Sequence, residues 1–135
     1  MNVINKYFSI KTNKRFQIID ISQNIQDIVN KTEINDGIVN IFTKHSTSSI
    51  IINENEVGLL TDLKDLLLDI VPEKKYNHDL IDNNADSHLK AILLGTSETV
   101  SISSNTLNLG TWQSIFFVEF DGPRNRTINL TIMGC

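Results

Sequence analysis

The sequence predicts an α+β fold, an antiparallel β-sheet or sandwich carrying two to three helices, built as one domain over residues 1–135. β-Branched and aromatic runs follow one another as hairpin-like neighbours instead of alternating strictly with helices, which argues against a parallel βαβ sheet. Apolar residues recur at helical spacing in only a few segments. A chain of 135 residues without a linker, low-complexity tract or repeat is the size of one domain able to bury its own core.

Ile4, Phe8 and Ile10 share one parity of a first strand, Thr12, Asn13 and Lys14 form a turn, and Phe16 to Ile19 return as a second strand, so the chain starts as a predicted hairpin. From Ser22, a residue suited to an N-cap, Ile25, Ile28 and Val29 mark a helix that stops at the polar stretch NKTEINDG. Gly37 to Lys44 and Ser48 to Asn53 are strand-like runs, with His45 at the edge between them. Asn53-x-x-Glu56 resembles a capping box, after which Leu59, Leu60, Leu63, Leu66, Leu67 and Ile70 follow the i, i+3, i+4, i+7 rule. Pro72 closes that helix, Glu73 to Asn84 is the longest loop, and Asp86 to Leu94 is a short helix ended by Gly95. Strand signals then run over Thr99 to Ser103, Leu107 to Leu109, Trp112 to Phe120 and Thr127 to Met133, with Asp121-Gly122-Pro123 turning the last two into a predicted hairpin.

Composition removes several function classes. Net charge is −4 with no dense Lys/Arg block, so nucleic acid and anionic membranes are not expected partners. No run approaches the ~20 apolar residues of a membrane span, and the first residues lack the basic flank and apolar stretch of a signal peptide. The single cysteine, Cys135, permits neither a disulfide framework nor a Cys-based zinc motif, and a cytoplasmic location is expected. No Walker loop, G-x-G-x-x-G or G-x-S-x-G element occurs.

The residues left to carry chemistry lie in three places. His45, His78 and His88 are all the histidines of the chain; three neutral imidazoles around an ion leave a position open for water, and three unrelated surface histidines are the alternative. Asp79, Asp82 and Asp86 offer oxygen ligands for a hard cation or, more simply, loop solvation and a carboxylate at a helix start. Ser46 to Ser49 supply hydroxyls beside His45, and Arg124 and Arg126 supply planar forks suited to phosphate. The strand Trp112 to Phe120 is apolar on both faces and therefore central, so an ionised Glu119 within it needs a partner, which Arg124 or Arg126 can provide.

The segments HSTSSIIINENE, NNADSHLKAILLG, LNLGTWQSIFFVEFDGPR and INLTIMG resemble, in order and spacing from about Gly37 to Gly134, the YjbQ family, also described as the secondary thiamine-phosphate synthase family. His45 with Ser46 and Thr47, Asn53 with Glu54, Pro72 with Tyr76 and His78, Asn84 to Leu89, Leu107 to Gln113 and Gly122 to Arg124 fall on its motifs, and so do all three histidines. Ser46 stands where the family usually has threonine, and Asn105 where it commonly has glycine; asparagine tolerates a positive φ, so the turn can survive.

The resemblance implies a homotrimer with a pocket near the subunit interface. It also implies weak thiamine-phosphate synthase activity: joining hydroxymethylpyrimidine diphosphate to a thiazole phosphate with release of pyrophosphate. On that reading Arg124 and Arg126 hold phosphate. His45, His78 and His88 bind a divalent ion, zinc or magnesium, or act as acid and base, and Asp86 or Glu119 orients a histidine. Ser46, Thr47, Asn84, Trp112 and Gln113 complete the substrate pocket. A non-catalytic trimer binding a small phosphorylated ligand, or a metal-assisted hydrolase, would use the same residues.

Overall fold

The computed structural model describes residues 1–135. Its elements are β1 (Asn2–Lys11), β2 (Gln17–Asp20), α1 (Ser22–Asn30), β3 (Gly37–Thr43), β4 (Ser48–Asn53), α2 (Val57–Ile70), a 3-10 turn (Asn77–Leu80), α3 (Ala85–Leu94), β5 (Ser97–Ser103), β6 (Thr106–Leu107), β7 (Ser114–Glu119) and β8 (Asn125–Gly134). Two antiparallel sheets result, one in the order β1-β8-β3-β5-β6 and one in the order β2-β7-β4. The α+β expectation holds, and no helix is long and apolar enough to cross a membrane.

β7 shows why the sheets stack. Ile115 and Phe117 join Val39, Ile41, Ile50, Ile128, Leu130 and Ile132 in the core between the sheets, which Ile25 and Val29 of α1 complete. The alternate residues Phe116, Val118 and Phe120 face the other way and pack with Leu67 of α2 and Ala91 of α3. Each fully buried Ile or Phe contributes about 1.5–3 kcal/mol relative to exposure, so a strand with two apolar faces is most stable as the middle layer.

Both expected hairpins are corners instead. β1 pairs with β8, Ile4 opposite Ile132, while β2 pairs with β7, Ile18 opposite Val118. β7 and β8 likewise belong to different sheets. Alternation and turn residues mark where a chain reverses, but they do not distinguish a strand that folds back on its neighbour from one that steps into the opposing sheet.

The start of α2 also differs from expectation. Asn53 ends β4 and its Oδ1 accepts the Glu54 N–H at 2.8 Å, whereas Glu56 is the N-cap, accepting from Gly58 and Leu59. A carboxylate at the cap satisfies two otherwise unpaired N–H groups and complements the helix dipole, so it displaces the asparagine three residues upstream.

The β5–β6 turn places Ser104 at φ 51° and Asn105 at φ 61°, as the resemblance required of a non-glycine residue there. Asn105 Nδ2 also donates to the carbonyls of Val29, Thr32 and Ile34 at 3.1, 3.4 and 2.6 Å, tying this turn to the end of α1. Asn105→Asp keeps the φ tolerance but turns an acceptor on these carbonyls, so urea unfolding should show a loss of about 2–3 kcal/mol. Asn105→Gly, which merely deletes the bonds, should lose about 1 kcal/mol; equal losses would show that the carbonyl cluster is not what Asn105 serves.

Candidate functional site

Of the six connections that carry the chain between the five-stranded and the three-stranded sheet, three are short corners at residues 12–16, 44–47 and 120–124. They meet at one end of the sandwich. Thr12 N–H donates to Arg124 O at 2.9 Å, Phe120 N–H to Thr47 O at 3.1 Å, and Gly122 N–H to Arg15 O at 3.1 Å. A Cβ on Gly122 would lie 2.2 Å from the Lys14 carbonyl oxygen, so only glycine permits this approach. The Gly122–Pro123 bond is cis.

A buried ion pair locks the junction. Arg126 Nε donates to Glu119 Oε1 at 2.8 Å, its Nη2 donates to Glu119 Oε2, and the same Nη2 donates to Thr47 Oγ1 at 2.9 Å. Thr12 Oγ1 donates to Glu119 Oε1 at 2.8 Å, and the Asp121 N–H to Oε2 at 3.1 Å. Burial alone would raise the Glu119 pKa, but the bonds from Arg126 and Thr12 outweigh it and hold the carboxyl below its ordinary value. Glu119 and Arg126 therefore satisfy each other, and neither orients a histidine by a hydrogen bond or presents a free fork.

His45 is fixed by its own turn. Thr43 and Ser48, 2.8 Å apart through their hydroxyls, bracket that turn, with Ser48 Oγ donating to His45 O and Thr43 Oγ1 accepting the His45 N–H. The last β3 residue, Thr43, sits opposite Ile128 of β8; beyond it, His45 Nε2 accepts the Thr127 N–H at 3.1 Å, as a backbone carbonyl would in a continued ladder. An Nε2 that accepts leaves the neutral ring protonated on Nδ1, which has no partner in the chain. Burial, then repulsion from Arg126, holds the His45 pKa below its ordinary value despite Glu119. NMR titration should give His45 a midpoint below ~6.5 and the Nδ1–H tautomer. With this sign, its contribution to stability is complete above about pH 6.5 and is lost as pH falls towards the lowered pKa.

A chain of hydrogen bonds runs from the corner to the second histidine. Asp121 Oδ2 accepts from Arg124 Nη2 and from Asn84 Nδ2, both at 2.9 Å, and Arg124 Nε donates to Asp121 O at 2.8 Å. That orientation of the Asn84 amide puts its Oδ1 3.0 Å from His78 Nε2, so His78 donates there and keeps Nδ1 as a free acceptor. The His88 ring stands edge-on to His78, centroids 4.7 Å apart, and both line a cavity of about 380 Å³ with Tyr76, Asn77, Ala85 and Leu89.

Asn84 precedes α3 and is of a type that ordinarily caps its own helix. Its side chain makes no such bond; Asp79 Oδ1 accepts the Ala85 N–H at 3.2 Å instead, while Asp79 Oδ2 accepts the Tyr76 N–H. Asp79, expected as loop solvation, is thus the cap that releases Asn84 for His78 and Asp121.

Other expected members lie elsewhere. Asp86 is bound by Arg15 through both guanidinium nitrogens, 3.2 and 3.0 Å, with Lys90 Nζ at 3.7 Å, so it serves neither as a histidine's partner nor as a cation ligand. The Arg15 bonds offset the effect of burial and lower its pKa. Trp112 and Gln113 are exposed at the opposite end of β7, about 20 Å from Glu119 at ~3.3 Å per residue. Thr47 is buried against Arg126, and Ser46 is exposed beside His45. No three His, Cys, Asp or Glu side chains of the chain converge as a metal site. Thr12, Arg15 and Asp121 are the structural members that spacing did not reveal; of these, only Asp121 sat inside a recognised motif.

Fold and site define a single-domain α+β protein whose sheet-crossing corners hold a neutral histidine and a carboxylate-bound arginine, with the His78–His88 pair linked to them through Asn84 and Asp121. The chain belongs to the UPF0047 protein YjbQ-like family, whose model matches residues 6–135. A UPF0047 protein of Methanothermobacter thermautotrophicus is 47% identical, over 99% of this chain and 94% of that protein. The UPF0047 protein YugU of Bacillus subtilis is 37% identical over 96% and 98%. The crystal structure of a YbjQ-like protein of unknown function from Sulfolobus solfataricus P2 matches with a TM-score of 0.95 at 38% identity, covering 99% of both chains.

Proposed function

We propose that this protein has weak thiamine-phosphate synthase activity, joining hydroxymethylpyrimidine diphosphate to a thiazole phosphate, and that it works as a homotrimer. The observation that carries this is the Arg124–Asp121–Asn84–His78 chain, which ends beside His88 at a cavity. In the reaction the C–O bond to pyrophosphate breaks, the thiazole nitrogen supplies the electron pair of the new C–N bond, and charge gathers on the departing pyrophosphate. Catalysis is then mainly positioning and stabilisation of that charge.

Arg124 is half exposed and uses Nε and Nη2 on Asp121, which leaves Nη1 for an anion. Arg126 acts indirectly, by holding the corner. His45 offers Nδ1–H as a second donor to phosphate, and His88, with no hydrogen-bond partner in the chain, is the group able to protonate the leaving oxygen. A divalent ion, if bound, would be held by His78 and His88 with a further ligand from another subunit, and His88 would then be a ligand in place of the acid; imidazoles favour zinc over magnesium. When bound, it would neutralise charge on the pyrophosphate. The chain alone supplies only two neighbouring imidazoles.

Support for self-association comes from the helix layer, where Leu80, Ile81, Ile92 and Leu93 are exposed around His78 and His88. The rival reading, a trimer that binds a phosphorylated metabolite without turnover, uses the same His45 Nδ1–H as its anion donor, because Nε2 is occupied by the Thr127 N–H.

The test is replacement of His45, His78 and His88 singly by alanine, with circular dichroism, metal content and product formation measured on each. Loss of about 10²-fold or more in turnover at His88 is expected of a general acid. Full metal and full activity in all three folded variants would remove the assignment, and tight phosphate-ester binding without turnover in the wild type would select the binder.

A further inference from the structure

α3 has a second working face. Lys90 is about 200° around the helix from His88 at 3.6 residues per turn, so it points away from the histidine cavity. Its side chain is nine-tenths buried, yet its ammonium makes no hydrogen bond in the chain; the nearest carboxylate oxygen, Asp86 Oδ2, is 3.7 Å away. An ammonium carries three donors, and because no buried side-chain nitrogen of the chain lacks a partner, this one opens on the space before it and keeps its donors free for a ligand there.

That space is a cavity of about 310 Å³ between Phe16, Leu67 of α2 and Lys90, rimmed by Arg15, Lys64 and Glu73. Arg15 is committed to Asp86, and Lys64 Nζ stands 5.9 Å from the Phe16 ring centroid. Set against Asp86 and Glu73, the cations Arg15, Lys64 and Lys90 leave one positive charge over.

We infer that this cavity is a binding site for a small monocarboxylate with an aromatic or branched apolar body. The carboxylate accepts from Lys90 and Lys64, and the body lies on Phe16 and Leu67. A phosphate dianion fits less well, because its second charge would face Glu73 without a matching cation. The site borders the 12–16 corner but shares no residue with the His78–His88 cavity.

The probe is phenylacetate, titrated into ¹⁵N-labelled full-length protein, with phenylacetamide as its neutral counterpart. A ligand of about ten heavy atoms should bind with a dissociation constant of roughly a millimolar. Shifts should centre on the Phe16, Leu67 and Lys90 amides. The amide probe, Lys90→Met and Lys64→Ala should each weaken binding, the first two by about tenfold or more, the scale of one charge-assisted hydrogen bond. Lys64 is exposed, so its variant tests the site even if Lys90→Met misfolds. His88→Ala should bind phenylacetate normally, which separates this site from the proposed synthase site. Equal binding of phenylacetamide, no saturation by ~20 mM, or unchanged affinity in Lys64→Ala and folded Lys90→Met would overturn the proposal.

Discussion

Glu119→Ala is expected to lower the unfolding free energy by about 3–5 kcal/mol, because it leaves the Arg126 guanidinium charged and unpaired in the interior. Arg126 is 4% exposed and Glu119 fully buried, so neither water nor another carboxylate replaces the lost partner. For a domain whose total stability is of order 5–15 kcal/mol, such a loss populates the unfolded chain measurably in urea at room temperature. The double variant Glu119→Leu with Arg126→Met should recover much of it, since the desolvation of both ions disappears with the pair. It should also change the response to acid. Glu119 titrates below the ordinary carboxylate range, so its stabilising contribution is complete above about pH 4.3 and is lost as pH falls through its lowered pKa. Wild type should therefore lose stability more steeply below pH ~4 than the double variant. If Glu119→Ala unfolds like wild type both at neutral pH and below pH ~4, the corner is not held by this pair.

The two-faced apolar pattern of Trp112 to Phe120 announced a central strand and required a partner for Glu119, and the structure supplies Arg126 as that partner. Asn105 could be assigned a positive φ because the resemblance placed it where glycine is common and asparagine tolerates that conformation. The corners were not legible, because whether two successive strands pair or part depends on strands far away in sequence: β8 recruits β1, and β7 recruits β2. The same non-locality hid Thr12 and Arg15. Each is an ordinary turn residue until the corner at 120–124 is brought against it.

At the site, motif positions identified the residues but not their alliances. Asn84 and Asp86 are separated only by Ala85, yet Asp86 turns to Arg15 and Asn84 to His78 and Asp121, on different sides of α3. Periodicity distinguishes such faces only once the helix start is known, and here the start depends on a cap, Asp79, that lies six residues upstream of Ala85. The consequence for chemistry is a separation of tasks: Glu119 and Arg126 fix the backbone, Asn84 and Asp121 set the tautomer of His78, and Arg124, His45 and His88 retain donors for a ligand.

The second large effect is expected at Ile92. This residue is 75% exposed on α3, with Leu93 beside it, Leu89 of the same helix lining the histidine cavity, and Leu80 and Ile81 exposed on the preceding turn. Exposed apolar side chains near the candidate site are what a subunit interface requires, and their burial would exclude water from His88. Sedimentation should give the wild type an assembly near three times the 15.3 kDa chain. Ile92→Glu places a carboxylate in that interface without a cation to meet it, which should weaken association by about 10²-fold or more. Because the side chain touches little in the isolated subunit, unfolding of the dissociated chain should change by no more than about 0.5 kcal/mol. Turnover should fall in proportion to the assembled fraction and return at higher protein concentration, whereas damage confined to one subunit's chemistry would not respond to concentration. A variant that sediments as the wild type, or a wild type that is monomeric at working concentrations, would take the interface away from this surface and with it the need for a neighbouring subunit to complete the metal site.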